Sequence, residues 1–163
     1  MPPRSHGFTM MEMMVVISVL GILALLAAPW YMDRIVRDQI KEALPLADIA
    51  KTPVATSWSA TKTLPADNAA AGLPVPEKIV ANYVRSLAVN DGAIHLTFGN
   101  RASNAIAGKI LSLRPAVVED APVVPVAWVC GRAEAPGGMT IHGQNLTDIP
   151  NNLLPVECRA IKQ

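Results

Sequence analysis

The sequence predicts an α+β protein in which a long N-terminal α-helix packs on a four-stranded antiparallel sheet. Three features of the 163-residue chain predict this fold: an uncharged apolar run over residues 13–31, helical apolar spacing beyond it, and four short strand-like runs between residues 82 and 130. The length suffices for one domain with a modest core and an apolar anchor. A formal net charge of +1 indicates no preference for a charged partner.

The first element is the apolar run itself. Residues 13–31 contain no charged side chain, and their apolar residues cover every face of a helix, which excludes a surface amphipathic helix. At about 1.5 Å per residue, such a helix is long enough to cross a hydrocarbon core. Arg4 precedes the run, so the positive-inside rule places the N-terminus in the cytoplasm and the rest of the chain outside.

Two simple explanations of this segment account poorly for its residues. A cleaved secretory signal needs a small-residue site after the apolar core, but the best site ends at Ala28, and Pro29 follows it. A plain membrane anchor gives no reason for Glu12, the one acid between residues 7 and 31. A carboxylate inside a bilayer costs about 2.5–3.5 kcal/mol or more at the midplane. The position of Glu12 therefore indicates a specific role.

The leader MPPRSHG followed by FTMMEMMVVISVLGILALLAAP resembles the class III signal of type IV pilins and their pseudopilin relatives. The resemblance implies that a prepilin peptidase cuts between Gly7 and Phe8 on the cytoplasmic face and methylates Phe8, giving N-methylphenylalanine. It also implies three parts of the chain. Residues 1–7 are the cleaved leader, residues 8–31 a transmembrane helix that later forms the filament core, and residues 32–163 a periplasmic globular pilin domain.

The cut explains Glu12, which becomes the fifth residue of the mature chain. Cleavage frees an ammonium at Phe8, one helical turn away, and our hypothesis is that Glu12 meets the Phe8 ammonium of a neighbouring subunit in the filament. Two charges in apolar surroundings are tolerated only when they are paired, so this pairing drives docking and sets axial register. The alternative is a glutamate that lies near the membrane surface and extends into the headgroups.

Gly21 and Pro29 also match the pilin pattern. Glycine in a helix costs about 1 kcal/mol relative to alanine, and Pro29 removes a hydrogen-bond donor and frees the Leu25 carbonyl. The resemblance implies that this stretch loses helicity in the filament. The alternative is a simple kink at Pro29.

The helix is predicted to continue past residue 31, because apolar residues recur at helical spacing. These residues are Met32, Ile35, Val36, Ile40 and Leu44. Pro45 and Pro53 kink or end helical turns, and the helix extends to about Ser59. Residues 63–77 are rich in proline, alanine and glycine and are predicted to form a long loop, which in pilins lies on the filament surface.

Four strands are predicted next. Residues 82–89 and 93–98 flank the turn sequence Asn90-Asp91-Gly92, a strong hairpin signal. In the second strand, apolar residues alternate with His95 and Thr97, so one face is predicted to be buried and His95 to face solvent. Residues 109–114 and 124–130 are the third and fourth strands.

Cys130 and Cys158 are the two cysteines of the chain. Their number alone suits either a disulfide or two buried thiols. The predicted topology places both outside the cytoplasm, where disulfides form, so we expect a bond that stabilises the intervening loop by about 3–4 kcal/mol. The resemblance adds that in type IV pilins this disulfide-bounded region is an exposed surface for subunit contacts and adhesion, whereas pseudopilins of type II secretion commonly lack it.

The sequence contains no arrangement that predicts catalysis. His6, His95 and His142 are far apart and lack metal-ligand spacing, and no nucleotide-binding loop is present. We therefore expect no enzyme activity, no cofactor and no metal site. Residues 145–147 form an Asn-Leu-Thr glycosylation sequon, which we interpret as a chance occurrence.

One cationic cluster is a weak candidate for a DNA or surface contact. Arg132, Arg159 and Lys162 come together at the disulfide if Cys130 and Cys158 are bonded. Three cations support only weak, salt-sensitive DNA binding.

These observations, with the resemblance, predict a structural subunit of a type IV pilus that serves adhesion, twitching motility and possible DNA uptake. Its expected partners are copies of itself and other pilins, the prepilin peptidase, and the assembly platform of the inner membrane. Its expected location is the inner membrane, as a single-pass precursor, and then the extracellular pilus or fimbrium. The alternatives are a minor pilin that binds DNA or a surface, and a type II secretion pseudopilin.

Overall fold

The computed structural model describes residues 7–160, with the backbone alone for residues 27–30. The chain divides between Arg34 and Ile35 into two compact units. Helix α1, Met10–Ala43, begins in the first unit and ends in the second. Residues 1–6 of the predicted leader 1–7, including Arg4 and His6, lie outside the described part of the chain, as does Lys162.

The first unit consists of the N-terminal part of α1. Thr9 precedes the helix, and its Oγ1 accepts a hydrogen bond from the Glu12 backbone N–H at 3.2 Å, which satisfies one of the free amides of the first turn. The backbone is helical at Gly21 and over residues 27–30. Within residues 7–160 no single helix is long and apolar enough to cross a membrane, but Met10–Leu26 and Tyr31–Thr61 taken together are, by length and composition.

The second unit begins with the end of α1 and a second helix. A 3₁₀ turn at Leu44–Ala47, which contains Pro45, connects α1 to α2, Asp48–Thr61. The buried side chains recur every three or four residues and form one stripe along both helices: Val36, Ile40, Ala43, Ala47, Ala50, Val54 and Trp58. The prediction that helix continues to about Ser59 is confirmed, but Met32, one of the predicted apolar positions, is exposed.

The sheet has the four predicted antiparallel strands in the order β1-β2-β3-β4. These strands are β1, Val84–Asn90; β2, Ala93–Phe98; β3, Ile110–Val117; and β4, Ala127–Cys130. A further strand that the sequence did not predict, β5, Thr140–Ile141, pairs with β3 at Ala116 and Val117. The predicted hairpin turn is confirmed: Asp91 and Gly92 connect β1 to β2 with φ values of 47° and 79°, as a type I′ turn requires.

One face of the sheet carries the main core. Leu87, Leu96, Phe98 and Leu111 are fully buried and cluster with the helical stripe. The alternation in β2 that predicted this buried face is therefore correct.

The opposite face of the sheet is also covered, which corrects the prediction for His95. His95 is buried, and its Nδ1 lies 2.9 Å from Ser112 Oγ on the neighbouring strand. Residues 142–148 pass over this face: the His142 N–H binds the Pro115 carbonyl, and the Leu146 N–H binds Ser112 Oγ at 2.9 Å. The segment that covers His95 comes from about fifty residues later in the chain, so local alternation could not reveal it.

Candidate assembly site

The N-terminal turn of α1 presents a carboxylate within an apolar surface. Glu12 is exposed, and among the described residues its carboxylate has no hydrogen-bond or ion-pair partner. The large apolar side chains around it are exposed too. Phe8 is 71% exposed, and Val16, the least exposed of the segment, is 43% exposed. An apolar surface of this extent marks a membrane or protein contact.

Thr9 is a residue of this site that the sequence analysis missed. Thr9 and Glu12 form the pattern T-x-x-E of a capping box, in which the first residue caps the helix and the fourth lies near its N-terminal amides. The observed bond from the Glu12 N–H to Thr9 Oγ1 is one half of that motif. The pattern was readable from the sequence, and it gives Glu12 a second role, within its own helix.

Gly21 lies in an open part of the same helix. A Cβ atom added there would meet no heavy atom within 4 Å, so the fold of a single chain does not require glycine at this position. The backbone of residues 27–30 is helical, and the side chain of Pro29 lies outside the described part of the structure.

The predicted bond between Cys130 and Cys158 is confirmed. It links the end of β4 to a 3₁₀ turn, Val156–Cys158, across a sequence separation of 28 residues. Gly131 makes this close approach possible: its φ is 55°, and a Cβ there would lie 2.7 Å from the Cys158 carbonyl oxygen. The disulfide therefore depends on a backbone contact that only glycine permits.

The two described arginines of the cationic cluster hold the disulfide-bounded loop together. Arg132 Nη1 donates to the Ile149 carbonyl at 2.8 Å. Arg159 Nε donates to the Leu154 carbonyl at 2.7 Å. The disulfide does bring them together, since the Arg132 N–H binds the Cys158 carbonyl at 3.0 Å. Both guanidinium groups are partly buried and bonded to backbone oxygens, so their charge is less available to a phosphate than that of a free surface arginine.

The sequon at residues 145–147 is also part of this internal network. Asn145 Nδ2, the atom that a glycan would occupy, donates to the Gly131 carbonyl at 2.8 Å. Thr147 Oγ1 accepts the Ser112 N–H at 3.0 Å. Both side chains therefore serve to attach the C-terminal loop to the strands.

The titratable groups of residues 7–160 form no group of three or more that could hold a metal ion. His95 is enclosed between the strands and residues 142–148, and burial lowers its pKa below the usual value of 6.5. His142 Nε2 lies 2.7 Å from a carboxylate oxygen of Glu119. The Ser112 hydroxyl that bonds His95 is itself fully buried, so this pair supports packing of the strands.

Comparison with known proteins yields two family matches that together span nearly the whole chain. A model described as pilin, a bacterial filament, matches residues 36–159, and a model of the prokaryotic N-terminal methylation motif matches residues 2–28.

Individual relatives agree with these matches. A type IV major pilin protein PilE1 of Neisseria gonorrhoeae is 35% identical over 94% of this chain and 86% of its own length. A fimbrial protein of Neisseria meningitidis serogroup A is 37% identical over 77% of this chain and 72% of its own. The fimbrial protein EcpC of Eikenella corrodens is 40% identical over 66% of this chain and 72% of its own.

Proposed function

Because this chain belongs to the type IV pilin family and is a structural, non-enzymatic subunit of a pilus, we propose that it is made as a membrane-anchored precursor, cut after Gly7, and built into filaments through its N-terminal helix. Pilins of this family assemble with copies of themselves into extracellular pili, and adhesion and motility follow from the pilus.

The observation that carries the proposal is the exposure of apolar side chains along residues 8–26. Every described large apolar side chain in this segment is at least 43% exposed. Exposure of such an apolar surface to water is unfavourable, so the segment needs a membrane or other helices around it. We assign two successive surroundings to this segment. Before assembly it lies in the inner membrane, with the N-terminus inside and residues 32–163 outside. After assembly it is surrounded by the helices of neighbouring subunits.

Processing follows from the residues at the start of the helix. The prepilin peptidase cuts between Gly7 and Phe8, and Phe8 becomes the methylated N-terminus. Gly7 is exposed and lies outside α1, which begins at Met10, so the bond to be cut is not part of the helix. The assembly platform of the inner membrane then receives the mature subunit.

Glu12 is proposed to select the docked position. Its carboxylate is unpaired within the described chain and is surrounded by apolar residues, so burial between helices costs free energy unless a positive group meets it. The ammonium of a neighbour's Phe8 is that group. Gly21 and Pro29 are proposed to let the helix unwind locally as subunits pack, a role consistent with the open surroundings of Gly21.

The alternatives named above have no observation in their favour. Arg132 and Arg159 bind backbone carbonyls of their own loop, which weakens a DNA-binding surface, and Lys162 alone does not make one. The relatives are named major pilins and fimbrial proteins, which supports neither a minor pilin nor a pseudopilin.

Intact-mass spectrometry of filaments sheared from the cells tests the proposal. The expected main species has the mass of residues 8–163 plus one methyl group and minus the two hydrogens lost in the disulfide. Its presence in purified filaments supports cleavage, methylation and assembly together. A main filament species that retains residues 1–7, or filaments composed of another protein, would overturn the proposal.

A further inference from the structure

The uncharged surface of α1 ends in two aromatic residues and an arginine. No charged residue lies between Glu12 and Asp33, and Trp30 and Tyr31 close the apolar run. Tyr31 is 60% exposed. Arg34 is exposed three positions later, and it has no ion-pair partner among the described residues. Positions three apart lie on the same side of a helix, so Tyr31 and Arg34 form one surface, which we call the outer pair.

The outer pair has the chemistry of the boundary between hydrocarbon and water. Tyrosine presents an apolar ring with a polar tip and is enriched at the two surfaces of a membrane. An arginine near the end of a spanning helix extends its guanidinium group to the headgroups, where the planar fork matches a phosphate. The phosphate of a phospholipid headgroup is therefore the partner that fits Arg34, with the Tyr31 ring against the upper part of the acyl chains.

The length of the helix then sets the depth of Glu12. Tyr31 follows Glu12 by nineteen residues and the backbone between them is helical, which corresponds to about 28 Å at about 1.5 Å per residue. The hydrocarbon core of a bilayer is about 30 Å thick. With Tyr31 at the outer boundary of this core, Glu12 reaches the inner boundary and Gly21 lies near the middle. The carboxylate then contacts water, so the large cost of a charge at the midplane does not arise.

The inner end of the helix agrees with this depth. The Glu12 carboxylate is unpaired within the described chain, whereas its backbone N–H is already bound to Thr9 Oγ1 at 3.2 Å. At the inner boundary, water and headgroups supply the partners that the carboxylate lacks. Gly7 is exposed and precedes α1, which begins at Met10. The Gly7–Phe8 bond then lies on the water side of the boundary, where a peptidase on the cytoplasmic face acts.

We propose that Tyr31 and Arg34 bind phospholipid headgroups at the outer face of the inner membrane and thereby hold Glu12 at the headgroup boundary of the inner face until assembly. The two explanations of Glu12 then apply to successive stages. The carboxylate lies at the membrane surface in the precursor, and it enters apolar surroundings only when the subunit leaves the bilayer for the filament. The inference rests on the membrane stage of the proposed function, and its test separates the two.

Fluorescence quenching at known depths tests this placement on the full, uncleaved chain in vesicles of phosphatidylcholine and phosphatidylglycerol. A fluorophore is attached to Met11→Cys, Leu20→Cys or Met32→Cys, at side chains that are 78%, 58% and 56% exposed. These sites leave Glu12 and Tyr31 unchanged, and the native cysteines are closed to labelling by their disulfide. Phospholipids carry a nitroxide quencher either on the headgroup or at the end of an acyl chain.

The labels at residues 11 and 32 are expected to be quenched more strongly by the headgroup nitroxide, and the label at residue 20 by the acyl-chain nitroxide. Stronger acyl-chain quenching at residue 11 or residue 32 overturns the proposed depth while the membrane stage stands. If neither nitroxide quenches any of the three labels, the chain does not enter the bilayer, and the membrane stage of the proposed function fails as well.

A second comparison tests the outer pair itself. The double variant Tyr31→Leu and Arg34→Leu is expected to lower the ratio of headgroup to acyl-chain quenching at residue 32 by at least about twofold, because the interfacial anchors are gone. The matched control is Arg85→Leu, which removes an exposed arginine of β1 and is expected to leave the ratio unchanged. Equal ratios in the two variants overturn the role of the outer pair. If the double variant does not enter vesicles, Arg34→Leu alone is compared with the control by the same ratio.

Discussion

Residues 8–26 and the helical stripe from Val36 to Trp58 are both rich in apolar side chains, but only the stripe is buried within the chain. Leu23 is 56% exposed, whereas Ile40 and Val54 are fully buried against the sheet. The stripe is one face of a helix with a polar opposite face, and the N-terminal segment is apolar all round. The difference teaches that the stripe stabilises the fold of one subunit, while the N-terminal segment stabilises contacts outside it.

The comparison is tested most strongly at Glu12, where a charge lies in the apolar segment. Glu12→Ala is expected to leave the protein in the membrane and to abolish filament incorporation, since breaking a buried ion pair costs about 3–5 kcal/mol. The measurement is the ratio of sheared filaments to membrane-bound subunit by immunoblot.

Two further variants separate the proposed intersubunit pairing from helix capping. Glu12→Gln keeps the capping-box pattern, in which glutamine also serves, but removes the charge. Thr9→Ala removes the cap that the Glu12 N–H binds at 3.2 Å and keeps the charge. We expect Glu12→Gln to fail in assembly like Glu12→Ala, and Thr9→Ala to assemble. Normal filaments from Glu12→Gln would show that the charge is not the essential feature.

The next largest effect is expected in the globular unit alone. Replacing both Cys130 and Cys158 by serine opens a bond between residues 28 apart and is expected to lower the free energy of unfolding by about 3–4 kcal/mol on the chain-entropy estimate. Urea unfolding of the full chain in detergent micelles, followed by tryptophan fluorescence, measures it. Membrane insertion of the precursor should not change, because the bond lies outside the apolar segment. If the urea concentration at the unfolding midpoint did not change, the disulfide would not have the stabilising role expected of it.

A pair of leucine truncations compares the two regions directly. Leu96 is fully buried in β2 and Leu23 is exposed on α1. Leu96→Ala is expected to lower the free energy of unfolding by about 3 kcal/mol, from lost burial and the cavity left behind. Leu23→Ala is expected to change it by less than about 0.5 kcal/mol and to reduce filament yield instead. If both truncations destabilise the isolated chain equally, the division between internal and external apolar surfaces is wrong.

The parts of the fold that follow from local pattern were predictable from the sequence. The helical spacing of Val36 and Ile40, the alternation in β2, and the Asp91-Gly92 turn each depend on a few neighbouring residues. The capping pattern of Thr9 and Glu12 was equally local and was overlooked. What could not be predicted depends on distant segments: β5 is only two residues long, and the cover over the second face of the sheet comes from residues 142–148.

The candidate site divides in the same way. Gly7, Phe8 and Glu12 were identified because their motif is contiguous, and their roles await the experiments above. Asn68, which lies outside that site, had no signal of its own, since a single asparagine in a loop does not reveal that its side chain will bind the Leu87 carbonyl and the Val89 N–H of β1. The cationic cluster was predicted from charge alone, but the carbonyl oxygens that Arg132 and Arg159 bind could be found only in the folded loop.

His95 gives the smallest predicted effect and tests the covered second face of the sheet. Burial lowers its pKa in the folded protein below the usual 6.5, and its Nε2 has no partner among the described residues. Well above pH 6.5 both states are neutral, so the imidazole adds no pH dependence there. As the pH falls below that value the unfolded chain takes up the proton first, so the free energy of unfolding decreases until the lowered folded pKa is reached.

The matched variant for this pH effect is His95→Asn. Asparagine places a polar atom near the position of Nδ1, so it keeps a hydrogen bond to Ser112 Oγ but does not titrate. Urea unfolding between about pH 7 and pH 5, a range that brackets the ordinary histidine pKa, is expected to show a shallower loss of stability for His95→Asn than for the unmodified chain. Parallel curves would mean that His95 gains its proton as easily in the folded state as in the unfolded state. Residues 142–148 would then not shield it from water, and the second face of the sheet would behave as the open surface that β-strand alternation predicts.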